Sequence, residues 1–205
     1  MITIINTGIG NFKSIQHMLS RIGENSILSN NPKDIEVADK LILPGIGSFD
    51  VGMQALKDSN LIDVIKNKIA CSNVKVLGIC LGMQMLADSS EEGILPGLGI
   101  IKGHVRKFNF LADCKNLKIP HMGWNYAVSQ KNSMLFSGYD TVPRFYFTHS
   151  YWLECDDESN VLSKTPYGSD FTSAVESDNR IYGVQFHPEK SHCFGLQLLK
   201  NFVSC

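Results

Sequence analysis

The stretch that decides the fold is Val74-Lys-Val-Leu-Gly-Ile-Cys80-Leu-Gly-Met-Gln-Met-Leu86. Its first part, Val74 to Ile79, is apolar without a period of two, which is typical of a strand covered on both faces. The run MQMLA that follows has helical spacing. The motif GICLG, residues 78–82, therefore lies at a strand–turn–helix junction, the context of a nucleophile elbow with cysteine in place of serine.

Cys80 has two interpretations on this motif alone. The flanking glycines allow a tight turn that presents the thiol above the sheet edge, and the start of a helix stabilises a thiolate. The backbone N–H of Leu81 would then face a developing oxyanion. Alternatively, Cys80 is a small buried apolar residue, as a lone cysteine in an apolar run usually is.

A second segment supplies what a thiol nucleophile needs. Residues 180–189, RIYGVQFHPE, form a predicted strand that ends at His187 and is followed by Pro188 and Glu189. A thiol requires a base that takes and returns its proton, and that base requires a group that orients its ring. HPE alone would indicate a surface turn. Together with the cysteine elbow, it indicates a triad of Cys80, His187 and Glu189.

A glycine loop precedes these motifs in the chain. Gly45-Ile46-Gly47 follows the apolar strand KLIL and stands before a helical pattern. The carboxyl end of a parallel strand is where ligand sites form in α/β proteins. The loop could therefore complete an oxyanion hole with Leu81. The sequence PGIG would suit an ordinary βα turn without a catalytic role equally well.

Two other kinds of site are not expected. In the first βα turn, Gly8-Ile-Gly10-Asn-Phe-Lys13, lysine stands where a dinucleotide fingerprint has its third glycine, and Ser29 replaces the acidic ribose ligand. His192 and Cys193 have no third ligand at zinc-like spacing. We therefore expect no dinucleotide, no metal and no other cofactor.

Length and composition restrict the class of protein. The 205 residues fit one domain, residues 1–205. The net charge of −1 shows no excess of positive charge that would bind nucleic acid or an anionic membrane, so small substrates or protein partners are favoured. No apolar run is long enough for a membrane span. The six cysteines include no CxxC pair and fit free thiols in a reducing cytoplasm.

The order of apolar runs predicts an α/β fold with an open, mostly parallel sheet flanked by helices. In the first half, ITIIN, KLILP and VKVLGIC alternate with helical patterns, which indicates βαβ units. After about Ser90, short runs from HVRKFNF to RIYGVQF predict added antiparallel strands. CFGLQLLKNFV predicts a final helix that packs on the sheet. Residues 113–117 are a predicted polar loop.

Several segments together resemble a known family. LILPGIGSF, LGICLGMQML with SEEG after it, IPHMGWN, FYFTHSYW and GVQFHPEKS resemble the glutaminase subunits of imidazole glycerol phosphate synthase, which are class I (triad) glutamine amidotransferases. The resemblance implies a flavodoxin-like fold and the hydrolysis of glutamine to glutamate and ammonia. It implies Cys80 as nucleophile, His187 as acid and base, and Glu189 as the orienting carboxylate.

The resemblance also implies roles for further positions. Oxyanion stabilisation falls to the backbone of Gly45, Ile46, Gly47 and Leu81. Glutamine binding falls to Gln84, Glu92, His149, Ser150 and Tyr151. Three positions are implied to face a partner protein, namely Asn11, Trp124 and Lys190.

The implied partner is a (β/α)8-barrel cyclase, which forms a heterodimer with the glutaminase and receives its ammonia through a channel. The implied products are imidazole glycerol phosphate, for histidine biosynthesis, and aminoimidazole carboxamide ribotide.

Three other interpretations stay open. The first keeps the glutaminase and changes its partner, because the resemblance extends to paralogues that supply ammonia to a related barrel, which aminates a surface-polysaccharide sugar. One departure bears on this choice of acceptor: the first strand ends Ile5-Asn-Thr-Gly8, where the family usually has Asp-Tyr-Gly. A stand-alone cysteine hydrolase or peptidase would need no partner, and Gln84 with the HSY strand argues against it. A catalytically silent interaction module would not need all three triad residues.

Overall fold

The computed structural model describes residues 1–110 and 117–205. The predicted loop at residues 113–117 therefore lies, except for Leu117, outside the described residues. The strands are β1 (Ile2–Ile5), β2 (Ser26–Ser29), β3 (Lys40–Gly45), β4 (Lys75–Cys80), β5 (Ser89–Ser90), β6 (Gly103–Lys107), β7 (His121–Tyr126), β8 (Val128–Ser129), β9 (Arg144–His149), β10 (Tyr151–Cys155), β11 (Val161–Tyr167), β12 (Ser169–Ser177) and β13 (Ile181–Val184). The α-helices are α1 (Phe12–Arg21), α2 (Pro32–Glu36), α3 (Phe49–Asp58), α4 (Ile62–Cys71), α5 (Leu81–Met85) and α6 (His192–Ser204).

The main sheet of the described chain has the strand order β2-β1-β3-β4-β13-β12-β11-β8. The first five strands pair in parallel, and the last three strands continue the sheet in antiparallel pairs. The predicted α/β fold with a mostly parallel sheet is thus confirmed. Strands β1, β3 and β4 lie in its interior and are almost wholly buried, as their continuous apolar runs predict.

Strand β13 corrects one detail of the expected layout. Its segment was expected among the added antiparallel strands, and it does pair antiparallel with β12. It also pairs in parallel with β4, with Gly183 opposite Gly78. The reason for the difference is that a short apolar run contains no information about the direction of its neighbours. This parallel pairing brings the end of β13 next to the end of β4.

Two smaller sheets and a terminal helix complete the described structure. One sheet has the order β10-β6-β5 and the other pairs β7 with β9. An isolated bridge between Tyr146 on β9 and His187 connects the second sheet to the chain after β13. Helix α6 confirms the predicted terminal helix, and buries Leu198, Leu199 and Phe202.

The core forms two apolar clusters, one on each face of the main sheet. Leu41 and Leu43 of β3 belong to one cluster, and Ile42 between them belongs to the other. Because successive side chains of a strand point to opposite faces, both faces of β3 are covered. In residues 1–110 and 117–205, no helix is long and apolar enough to cross a membrane.

Candidate functional site

Cys80 lies at a strained turn between β4 and α5. Its backbone has φ 54° and ψ −110°, a region that a residue with a side chain adopts only at a free-energy cost. The glycines on either side are sterically required. A Cβ on Gly78 would lie 2.7 Å from the carbonyl oxygen of Gly82, and one on Gly82 would lie 1.7 Å from that of Leu43. The predicted strand–turn–helix elbow is therefore the observed local structure.

His187 and Glu189 form a buried pair beside this turn. Nδ1 of His187 lies 2.8 Å from Oε1 of Glu189, and each side chain is only 2% exposed. The backbone N–H of His187 donates to the carbonyl of Tyr146 at 2.9 Å, which attaches the histidine to strand β9. Among the described residues, Nε2 of His187 has no hydrogen-bond partner.

Charge at the site favours a protonated imidazole. Burial lowers the pKa of His187, but the negative charges of an ionised Cys80 and of Glu189, together with the hydrogen bond to Glu189, outweigh it and raise the pKa to about 10. The thiol and the imidazole are therefore close enough to influence each other. Such a pair can exist as thiolate and imidazolium, the state in which sulfur attacks a carbon centre.

Gln185 is a site residue that the sequence reasoning missed. It is fully buried, and its Nε2 lies 3.7 Å from Sγ of Cys80. Its Oε1 accepts a hydrogen bond from Nε2 of Gln84 at 3.0 Å. A signal was available, because residues two apart in an extended segment share a face, and Gln185 stands two positions before His187.

Ser191 is a second residue that was missed. Its hydroxyl donates to the carbonyl of His187 at 2.6 Å and accepts from the N–H of Tyr146 at 3.0 Å. It thereby fixes the histidine backbone against β9. No sequence signal identifies this role, since it depends on how the turn at Pro188–Lys190 folds back on β9.

A small cavity opens at Cys80 and His187. Its volume is about 200 Å³, below the range of roughly 300–1,000 Å³ typical of pockets for drug-sized ligands. The residues that line it are Ile46, Gly47, Cys80, Leu81, Gln84, Glu92, Thr148, His149, Ser150, Tyr151 and His187.

The candidate oxyanion residues are distributed around this cavity. Leu81, Ile46 and Gly47 line it, whereas Gly45 is the last residue of β3 and pairs with Cys80 across the sheet. Gly47 has φ 102°, a conformation that favours glycine. The direction of these N–H groups toward an oxyanion stays a prediction.

Glu92 is held at the cavity by local hydrogen bonds. Its Oε2 accepts from the N–H of Phe49 at 2.9 Å, and its own N–H donates to the hydroxyl of Ser90 at 3.0 Å. Burial raises the pKa of the Glu92 carboxyl, against the opposing effect of the Phe49 N–H. Asp50 holds the next part of the loop, where its carboxylate accepts from the N–H groups of Ile94 and Leu95 at 3.0 Å.

The three positions implied to face a partner lie outside the cavity. Trp124 is 42% exposed and stacks on His192 with ring centroids 5.5 Å apart. Lys190 lies over the ring of Tyr146, directly after Glu189. Asn11 stands at the N-cap position of α1, where its side chain accepts from the hydroxyl of Ser14 at 2.8 Å.

Metal-ligating side chains are dispersed in the part of the chain that the structure describes. No three histidine, cysteine, aspartate or glutamate residues are grouped there so as to hold an ion. Cys80, His187 and Glu189 do meet at the elbow, but they are not positioned to hold an ion together. The chemistry that this arrangement can perform is therefore nucleophilic attack by sulfur with proton transfer by the imidazole.

Comparison with known proteins adds to this geometry. A family model described as glutamine amidotransferase class-I matches residues 3–204. The chain is 50% identical to an imidazole glycerol phosphate synthase subunit HisH 2 of Methanococcus maripaludis, over 99% of the chain and 98% of that protein. It is 47% identical to a HisH 2 of Pseudomonas aeruginosa, with 99% and 98% covered. It is 44% identical to a HisH of Leptospira borgpetersenii, with both chains fully covered.

Solved structures agree on the fold. A structure described as a glutamine amidotransferase superposes with a TM-score of 0.76 at 18% identity, covering 99% of this chain and 97% of the other. A structure of PurLQS from Thermotoga maritima superposes with a TM-score of 0.73 at 17% identity, covering 99% and 97%. At these identities the likeness applies to the fold alone.

Proposed function

The chain belongs to the class-I glutamine amidotransferases, in the family of HisH subunits of imidazole glycerol phosphate synthase, and on that premise we propose that it hydrolyses glutamine at Cys80. The observation that carries the proposal is the position of Cys80, at φ 54° and beside the buried His187–Glu189 pair, on the wall of one small cavity. Gln84 and the residues His149 to Tyr151 on the wall of that cavity favour glutamine over the peptide substrate of a stand-alone peptidase.

The proposed reaction has two halves. The Cys80 thiolate attacks the side-chain amide carbon of glutamine, and backbone N–H groups stabilise the oxyanion. The C–N bond breaks as the His187 imidazolium gives its proton to the departing nitrogen, which leaves ammonia and a glutamyl thioester. His187 then takes a proton from water, which attacks the thioester and releases glutamate and the thiolate. Glu189 orients the imidazole and stabilises its charged form.

Substrate contacts are proposed for the remaining cavity residues. The oxyanion donors are the backbone of the Gly45–Gly47 loop and Leu81. The glutamine-binding residues are Gln84, Glu92, His149, Ser150 and Tyr151. Of these, Glu92 has a half-buried carboxyl on the cavity wall, which suits the ammonium group of an amino acid.

A synthase partner is proposed because the relatives are named as subunits. The partner is a (β/α)8-barrel cyclase that binds at Asn11, Trp124 and Lys190 and receives ammonia through a channel. Its products are imidazole glycerol phosphate and aminoimidazole carboxamide ribotide. We take residues 1–205 as one domain, a view that the family match over residues 3–204 supports. A cytoplasmic location fits the free thiols of the five described cysteines.

A second acceptor remains a candidate. Two of the relatives carry the number 2 in their names, which suggests that their organisms have more than one such protein. In addition, the turn Asn6-Thr7-Gly8 departs from the family pattern, near Asn11 in the proposed partner surface. The same glutaminase could therefore serve a barrel that aminates a surface-polysaccharide sugar.

Purification of the chain with each type of barrel tests the proposal and separates the two acceptors. Glutamate release from glutamine is measured with and without the acceptor substrate of each barrel. Stimulation by the cyclase supports the histidine-pathway assignment. Stimulation only by the sugar-type barrel would exclude that assignment but keep the glutaminase. Absence of glutamate release with both barrels would contradict the proposed function itself.

A further inference from the structure

Two buried histidines form a pair at one wall of the cavity, His149 in the wall and His121 behind it. His121 on β7 is paired with His149 on β9, and their side chains are 3% and 6% exposed. Nδ1 of His121 lies 3.0 Å from Nε2 of His149. His149 lines the cavity that contains Cys80, whereas His121 does not touch it. Nothing in the sequence pattern assigns a role to His121.

The hydrogen-bond partners determine which nitrogen of each ring carries a proton. Nδ1 of His149 lies 2.7 Å from the carbonyl oxygen of Tyr151, which can only accept, so this Nδ1 is the donor. In a neutral ring Nε2 of His149 is then an acceptor, and Nδ1 of His121 must donate to it. Nε2 of His121 is left to accept from the side-chain amide of Asn125 at 3.3 Å. One arrangement of two neutral rings satisfies every contact.

Burial favours the same neutral state. It lowers the pKa of His121 to about 4. It also lowers the pKa of His149 to about 3, although the Tyr151 carbonyl opposes this and His121 and His187 add to it. Both rings are therefore uncharged near neutral pH.

The chain of hydrogen bonds continues from this pair to the nucleophile. The Tyr151 carbonyl also accepts from Nε2 of Gln84 at 3.0 Å. The same Nε2 donates to Gln185, whose own amide lies 3.7 Å from Sγ of Cys80. The Tyr151 carbonyl is thus a junction that holds one wall of the cavity to the residues around the thiol.

Aromatic packing alone does not account for His121. Its ring lies against Tyr167 and Phe147, with centroids 4.0 Å and 4.8 Å away. Phenylalanine could make the same contacts. It could not donate to Nε2 of His149, which would then be a buried acceptor without a partner, and such a group is costly.

We propose that His121 is a positioning residue for glutamine, acting through His149 and the Tyr151 carbonyl. This assignment rests on the proposed glutaminase function. His121 does not contact the substrate, but it fixes the tautomer of His149 and thereby the wall formed by residues 149–151.

Matched variants of His121 in the complex with the barrel partner test the proposal. His121→Phe keeps the packing and removes the donor, and kcat/KM for glutamine should fall about 10-fold through KM. His121→Asn places an amide N–H near the former Nδ1 and should recover most of that loss. Activity driven by ammonium salts bypasses the cavity and should be equal in all three proteins. Equal kcat/KM for His121→Phe and wild type, or no recovery with asparagine, would overturn the proposal.

A measurement on the wild-type chain avoids dependence on the folding of variants. The ¹⁵N chemical shifts of the imidazole nitrogens at pH 7 should show both rings neutral with the proton on Nδ1. A proton on Nε2 of His149, or a charged ring, would overturn the arrangement. This spectrum is independent of activity. A wild-type complex that releases no ammonia from glutamine, with the expected tautomers present, would contradict the proposed function and leave the hydrogen-bond arrangement standing.

Discussion

Nδ1 of His187 lies 2.8 Å from Oε1 of Glu189, and only Pro188 separates the two residues in the chain. The orientation of the ring is therefore determined locally, within one turn. The position of the ring relative to Cys80 is determined by the sheet, because β13 pairs in parallel with β4. The orientation of the imidazole and its distance from the thiol, both of which a triad requires, are thus determined by different parts of the structure.

Glu189→Gln should impair catalysis and leave the fold intact. The amide cannot stabilise the imidazolium and can stabilise the wrong tautomer, so kcat should fall by about 10²- to 10⁴-fold. Steady-state glutamate release by the complex measures this loss. Glu154→Gln is the control, because Glu154 is an exposed carboxylate paired with Arg106 at 2.8 Å. An activity of Glu189→Gln within about twofold of that control would contradict the role of Glu189.

Much of this site is predictable from the sequence, since its parts are local. The glycines around Cys80, the helix start after it and the HPE turn each have a short-range physical reason. Ser191 and His121 are different. The contacts of Ser191 depend on the bridge between Tyr146 and His187, and those of His121 on the pairing of β7 with β9. No local pattern specifies those pairings.

The fold shows the same division. Apolar runs predict the interior strands β1, β3 and β4 because these are covered on both faces. The prediction for β13 was wrong in part, since this strand has one parallel and one antiparallel neighbour. The exposed strand surface around Trp124 could be assigned only through the family resemblance.

Gly82→Ala should strongly destabilise the protein. An added Cβ would lie 1.7 Å from the carbonyl oxygen of Leu43, so β3 and α5 must separate. The melting temperature should fall by about 10 °C or more.

Gly23→Ala is the matched control for this prediction. Gly23 has φ 87° and no atom within 4 Å of a built Cβ, so alanine carries only a backbone cost of about 1–2 kcal/mol, or about 2–8 °C. Calorimetry compares the two variants. Equal decreases in melting temperature for Gly82→Ala and Gly23→Ala would show that the contact with Leu43 does not determine the stability loss.

The stability of the protein should depend on His121 at acidic pH. Burial lowers the folded-state pKa of His121 to about 4 from its ordinary value of 6.5. The unfolded chain therefore binds more protons below pH 6.5, so this contribution is fully present above 6.5 and is lost as pH falls toward 4. The free energy of unfolding should decrease by up to about 1.4 kcal/mol per pH unit from this residue alone.

Urea denaturation at pH 6.5, 5.5 and 4.5 measures this slope. His121→Phe should show a shallower decrease than the wild type, because it lacks the titrating ring. His149 also titrates abnormally, and its own pKa is lowered to about 3, so some slope should remain. Parallel curves for the two proteins would contradict a buried neutral His121.

Trp124→Ala should weaken binding of the synthase partner. The side chain is large, 42% exposed and supported by stacking on His192, which are properties of an interface anchor. Kd should rise by about 10- to 30-fold.

Met134→Ala is the control for this prediction. Met134 is similarly exposed, at 57%, but shares a cavity with Lys75, at the end of β4 opposite Cys80. Calorimetric titration with the barrel protein measures both variants. An unchanged Kd for Trp124→Ala would show that the partner binds a surface that does not include Trp124.

The central claim is that the Cys80 thiol releases ammonia from glutamine and a separate protein uses it. Cys80→Ala tests this most directly, in the complex, with Cys71→Ala as a control on an exposed cysteine. We predict complete loss of product formation with glutamine and unchanged product formation with ammonium salts. Retention of glutamine-dependent activity, or loss of both activities in a folded complex, would contradict the account.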